Sequence, residues 1–266
     1  MEPYNSLDQR IHLLCQLIAK ANRTFVSKRD DDSHTNLYFD SINNRILGRW
    51  IEQGTAPVLF SLHLDDLQIE VLDQGYMVSH STSVVNKTLE EIEIEMEQWL
   101  PELGLNVNGF RDPLHYEIPT YSFEKEPFGE LNKVNLEEWV KYRKLANQLS
   151  SDFLGFVQVE GEVRIWPHHF DTGIYFELQT IGIGFGLAMQ DEMAGAPYFY
   201  MSGYPKTGSV DYSNPGSLTN GRWEIHENYQ GAILPIADLS GLSEEEQYEK
   251  TSICLKEAFS WFMDNH

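Results

Sequence analysis

Positive charge is what this sequence has least of. Its 266 residues carry 19 Lys and Arg against 41 Asp and Glu, a formal net charge of −22. A surface of that sign repels phosphate backbones and anionic headgroups, so the reading expects no nucleic acid partner and no membrane partner. Long apolar runs are missing too. The longest mostly apolar stretch, residues 181–189, falls far short of the ~20 residues a spanning helix needs. The segment opening Met1-Glu2-Pro3-Tyr4 has neither the cationic start nor the unbroken apolar core of a secretory signal. Cysteine occurs twice, at Cys15 and Cys254, each on the apolar face of an expected helix. Two buried free thiols and a cytoplasmic location are the expectation. There is no G-x-S-x-G elbow, no H-E-x-x-H and no Walker loop, and neither cysteine sits in a reactive context.

What remains is ordinary globular material. Hydrophobic residues make up 41% and charged residues 23%, enough for one large domain or two small ones. Ser6-x-x-Gln9 reads as a capping box opening a helix with Leu7, Ile11, Leu14, Ile18 and Ala21 on one face. Residues 22–44 have loop composition. Strands are expected at 57–64, 67–72 and 76–80, the last two joined by a turn at Gln74-Gly75. Thr88-x-x-Glu91 caps a second helix that Pro101 and Gly104 stop. Residues 105–118 read as extended. Asn135 is expected to cap a third helix, and Ser243-x-x-Glu246 a fourth. Between those helices lie strands at 162–166, 173–178, 181–187, 197–203, 222–226 and 231–236. Hairpin-length groups of strands between helices predict an α+β fold with mostly antiparallel sheets flanked by about four helices. The turn-rich connector 119–133 suggests two halves, 1–132 and 133–266.

One region has the composition of a site. Residues 165–171 read Ile-Trp-Pro-His-His-Phe-Asp, and Pro167 ends the preceding strand because it has no amide donor. If this segment is extended, His169 and Asp171 share a face and His168 points the other way. A His-x-Asp pair can act as a general base with its orienting carboxylate. It can also supply two metal ligands, with others drawn from Asp191, Glu192 or His63. A hydrogen-bonded polar turn between core residues Trp166 and Phe170 is the structural alternative. Gly182, Gly184 and Gly186 alternate as G-x-G-x-G, which suits close packing against a strand better than phosphate binding. Next, Tyr198, Tyr200 and Ser202 face one way while Phe199, Met201 and Gly203 face the other. Tyrosines on the open face can line a pocket. Trp223 and the Gly231–Pro235 strand complete the dense region. Arg222, one of its few cations, is a plausible carboxylate partner.

Taken together, Trp166-Pro167-x-His169-Phe170-Asp171, the glycines ending at Asp191, Pro197-Tyr198-x-Tyr200, Trp223 and Gly231-Ala232-x-Leu234-Pro235 resemble a family of bacterial proteins of unassigned activity. The resemblance covers roughly residues 163–236. It implies that His169, Asp171, Asp191 and Trp223 belong to one cluster. Tyr204-Pro205 departs from the pattern, which has a Trp after the aromatic strand. The first functional expectation is a small-molecule-binding protein with a pocket built around Trp166, His169, Asp171, Tyr200 and Trp223. The alternatives are a hydrolase-type enzyme using His169 and Asp171, with or without a metal, and a protein-interaction module. Ligand identity, cofactor and oligomeric state stay open at this level.

Overall fold

A computed structural model describes residues 1–227 and 229–266. These residues form the α+β architecture expected, with four α-helices and antiparallel sheets. The chain divides into two compact units. An N-terminal unit holds Glu2–Lys141 with Arg164–Phe170, and a C-terminal unit holds Tyr142–Val163 with Asp171–His266 and Met1. The division crosses helix α3 (Lys133–Val157) between Lys141 and Tyr142. Residue 133, the expected start of the second half, is where that helix begins.

In the N-terminal unit, α1 (Glu2–Phe25) buries Leu7, Ile11, Leu14, Ile18 and Phe25. It begins before Ser6, so the Ser6-x-x-Gln9 box lies inside the helix rather than at its cap. Pro3 suits that earlier start, because its fixed φ and missing N–H are tolerated in a first turn. Five strands follow, β1 (Tyr38–Asp40), β2 (Arg45–Leu47), β3 (Val58–His63), β4 (Gln68–Asp73) and β5 (Val78–Ser83), antiparallel in sequential order. The polar stretch 22–44 therefore hides strand β1, three residues long. The turn at Gln74-Gly75 is built by Asp73, whose carboxylate accepts from Gly75 N at 2.8 Å and Met77 N at 3.0 Å. Helix α2 (Leu89–Trp99) carries the Thr88/Glu91 capping box in both directions. Residues 105–118 are turns rather than extended chain. Arg23 gathers the carbonyls of Gly109, Asp112 and Pro113 at 2.9–3.0 Å, which curls the Asn- and Gly-rich segment back on itself. Asn132 rather than Asn135 caps α3, accepting from Val134 N at 3.0 Å and Asn135 N at 3.3 Å. The short strand β6 (Arg164–Ile165) exchanges two backbone hydrogen bonds with Leu37, at 2.7 and 2.9 Å.

In the C-terminal unit, β7 (Thr172–Glu177), β8 (Ile181–Ala188), β9 (Tyr198–Pro205), β10 (Arg222–His226) and β11 (Tyr229–Pro235) lie in the order β10-β11-β9-β8-β7. Every neighbouring pair of these is antiparallel. Helix α4 (Glu244–Asn265) opens with the Ser243/Glu246 capping box. Strand alternation sorts the sheet into two faces. Ile174, Phe176, Ile183, Phe185, Phe199 and Met201 are buried on one of them. Helix α3 packs there, with Phe153 at 6.3 Å from both Phe176 and Phe185. Arg143 of α3 donates to Thr172 Oγ1 at 2.7 Å on the same side. Among the described residues no helix is long and apolar enough to cross a membrane.

Candidate functional site

The other face of the C-terminal sheet carries a different set of residues. Register places Tyr175 opposite Gly184, Tyr200 opposite Gly186, and Tyr204 opposite Gly182. The three glycines of β8 are a floor for tyrosine rings. A Cβ at Gly186 would stand 3.0 Å from Tyr200 Cε1, one at Gly184 3.3 Å from Tyr204 Cε2, and one at Gly182 would collide with Tyr175. The sequence reading of these glycines as packing positions holds, and the partners are tyrosines.

Two tyrosine–aspartate bonds organise this face. Tyr200 donates its phenol to Asp171 Oδ2 at 2.5 Å. Tyr198 donates to Asp191 Oδ2 at 2.7 Å. The other Asp191 oxygen accepts from Met193 N at 3.0 Å and Ala194 N at 2.9 Å. Asp191, on the exposed loop before β9, fastens that loop to the strand. The rings of Tyr198 and Tyr200 meet edge to face at 6.5 Å. The Tyr229 phenol donates to Ala232 O at 3.4 Å. Burial first, and then the negative charge of Asp171, holds the Tyr200 phenol well above its ordinary range. Burial and the bond to Asp191 do the same for Tyr198, and burial raises Tyr229. All three are neutral donors at physiological pH. At the open end Tyr175 and Tyr204 are 39% and 52% exposed, with ring centroids 6.0 Å apart. The face thus offers flat apolar area, fixed hydroxyls and carboxylates within one sheet surface.

The residues predicted from sequence divide between places. Asp171, Asp191, Tyr198 and Tyr200 come together as described. Trp223 does not join them. Its register partner is Ala232, which pairs with Met201, so it lies on the helix face. There its ring stands 4.5 Å from Trp261 and 5.6 Å from Phe262. Arg222 has the parity of the tyrosine face, but its guanidinium is taken by Glu224 at 2.6 Å. Trp166, His168 and His169 belong to the N-terminal unit. The His169-Phe170-Asp171 segment is not extended: Phe170 N donates to Trp166 O at 2.6 Å, and Phe170 has φ 57°. That closed turn removes the alternation on which a shared His169/Asp171 face depended. Trp166 lies under the Arg164 guanidinium at 5.4 Å, and the rings of His168 and His169 are 4.4 Å apart. His63, considered as a metal ligand, faces Asp66 at 3.3 Å and Glu70 at 3.8 Å. Among the described residues no three His, Cys, Asp or Glu side chains are placed to hold a metal ion.

Sequence reasoning passed over Tyr175, Tyr204 and Tyr229. Tyr175 was within reach, because Gly173, Tyr175 and Glu177 alternate in β7 as Tyr198, Tyr200 and Ser202 do in β9. Tyr229 was not, because the start of β11 was placed two residues late. No family model, curated protein or solved structure matches this chain.

Proposed function

We propose that this chain is a small-molecule-binding protein and that the tyrosine–aspartate face of the C-terminal sheet is its binding surface. The observation that carries the reading is the pair of bonds Tyr200–Asp171 and Tyr198–Asp191 beside the exposed rings of Tyr175 and Tyr204. Glycine stands at three alternate positions of β8 on this face. Here the glycines bring tyrosine rings down onto the strand and hold their hydroxyls in place. The chemistry of the face selects for its ligand. Phenol rings favour a flat or ring-shaped body. Carboxylates and phenol oxygens favour a rim of hydrogen-bond donors, so a ring compound bearing hydroxyl or amino groups fits best.

The test is a thermal-shift screen of cyclic polyols and ring amines against the wild type and the Tyr204→Ala and Tyr175→Ala variants. Both substitutions remove exposed rings and leave the buried Tyr200–Asp171 bond untouched. A compound that raises the wild-type melting temperature and has lost that effect in both variants supports the assignment. Hits that stabilise all three proteins equally place the ligand elsewhere and overturn it.

A further inference from the structure

The N-terminal unit carries a cavity of different chemistry, independent of the tyrosine face. It encloses about 380 Å³ between α1 and the segment 127–135 that leads into α3. Every residue lining it belongs to that unit. The volume falls within the ~300–1,000 Å³ common for small-molecule sites. Ser6, Leu7 and Arg10 line it from α1, and Glu130, Leu131 and Asn135 from the facing segment.

The sequence pattern marks Ser6 and Asn135 as helix caps, and neither is one. Ser6 lies inside α1, and Asn132 caps α3. Among the described residues, the Ser6 hydroxyl and the Asn135 side-chain amide have no hydrogen-bond partner, so both are free to serve the cavity they line. Its charges are free as well. The chain has 41 acidic residues against 19 basic ones, and in this unit Lys20, Arg45, Lys87 and Arg111 each meet a carboxylate at 2.5–3.3 Å. Arg10 meets none among the described residues. Its guanidinium stands 4.4 Å over the Phe123 ring, a contact that holds the cation by its charge. Glu130 is exposed and has no cationic partner among the described residues, although it lines the same cavity as Arg10. Opposite charges that share a cavity without pairing leave a place for a ligand that carries both signs.

We propose that this cavity binds a free α-amino acid, its carboxylate held by Arg10 and its ammonium by Glu130.

Each part of such a zwitterion has a matching group. A guanidinium presents a planar fork of N–H donors that fits a carboxylate. Ser6, four residues before Arg10, is its neighbour on one face of α1 and adds a hydroxyl donor. Glu130 accepts from the ammonium, and the Asn135 amide oxygen is a second acceptor. Leu7 and Leu131 supply an apolar wall for the ligand's side chain. A purely anionic ligand would face Glu130 as a like charge and the repulsion of a chain at −22. A purely cationic one would face Arg10.

Calorimetric titration of the full chain with the standard L-amino acids, one at a time near neutral pH, tests the site. At least one is expected to bind saturably. Its amide, which lacks the carboxylate, and its N-acetyl derivative, which lacks the ammonium, are each expected to bind about tenfold more weakly or worse. Arg10→Gln and Glu130→Gln are expected to weaken the free amino acid by a similar factor, and Tyr204→Ala to leave it unchanged. If Arg10→Gln does not fold, Arg10→Lys, which keeps the charge and loses the fork, takes its place with the same expected direction. No binding by any amino acid overturns the proposal, as does binding that survives both substitutions. An N-acetyl derivative that binds as well as the free amino acid marks an anion site and overturns the zwitterion. Binding lost in Tyr204→Ala places the ligand on the tyrosine face and overturns this site.

Discussion

Replacing Tyr200 with Phe removes one oxygen and tests the organisation of the tyrosine face. Asp171 is 8% exposed and receives the Tyr200 phenol at 2.5 Å. A hydrogen bond to a charged group contributes about 1.5–3 kcal/mol, and a buried acceptor that loses a donor sits near the top of that range. Loss of about 2–3 kcal/mol is therefore expected for Tyr200→Phe. Tyr198→Phe makes the same chemical change at the second pair, with a different outcome. Asp191 lies on an exposed loop, where water can replace the phenol, and its other oxygen keeps the bonds from Met193 N and Ala194 N. The expected cost there is about 0.5–1 kcal/mol, the net value of an ordinary hydrogen bond. Urea unfolding followed by far-ultraviolet circular dichroism measures both, with the slope m serving as the check that the unfolded states are alike. Equal costs for the two variants, or a larger one for Tyr198→Phe, would refute the claim that Asp171 is the buried and dependent partner.

Further outcomes follow from local geometry. Gly173→Ala puts a Cβ 2.5 Å from Gly186 Cα and against the Phe185 carbonyl, so a loss of about 3 kcal/mol is expected. Gly155→Ala in α3 meets nothing within 4 Å and should gain about 0.5–1 kcal/mol; a comparison of the two midpoints checks both values. Thr88→Ala and Ser243→Ala each remove a complete capping box and should each cost about 1 kcal/mol by the same denaturation assay, while Ser6→Ala, mid-helix, should change stability little. Burial, with Glu257 nearby, pushes the Cys254 thiol up to about 12, so iodoacetamide at pH 8 should modify it only on unfolding; rapid labelling of the folded protein would contradict that environment.

How much was legible can be followed element by element. The two capping boxes with clear apolar faces behind them, at Thr88 and Ser243, mark true helix starts, because reciprocal side-chain bonds there depend on neighbours in sequence alone. The same pattern at Ser6 misled, because the helix has already begun by Pro3, whose place in a first turn is the local signal that was passed over. Strands β8 and β9 were readable from alternation of residue type, glycine with larger apolar residues in β8 and tyrosine with Phe or Met in β9. Strands β1 and β2 were too short for any period to show. At the site, alternation separated Tyr198 and Tyr200 correctly from Phe199 and Met201. The grouping of Trp223 with them failed for a long-range reason: its face is set by the β10–β11 and β11–β9 registers, and no local feature encodes these. His169 and Asp171 were separated by one left-handed residue, Phe170, a conformation that a phenylalanine gives no reason to expect.

The binding claim rests on which tyrosines a ligand touches. The most direct measurement is tyrosine-ring NMR of the wild-type protein, titrated with the cyclic polyols and ring amines of the screen. The account predicts saturable shifts at the exposed rings of Tyr175 and Tyr204, with Tyr4 and Tyr142, buried elsewhere, left unmoved. Saturable shifts confined to other tyrosines, or none at Tyr175 and Tyr204 for a compound that stabilises the protein, would contradict it.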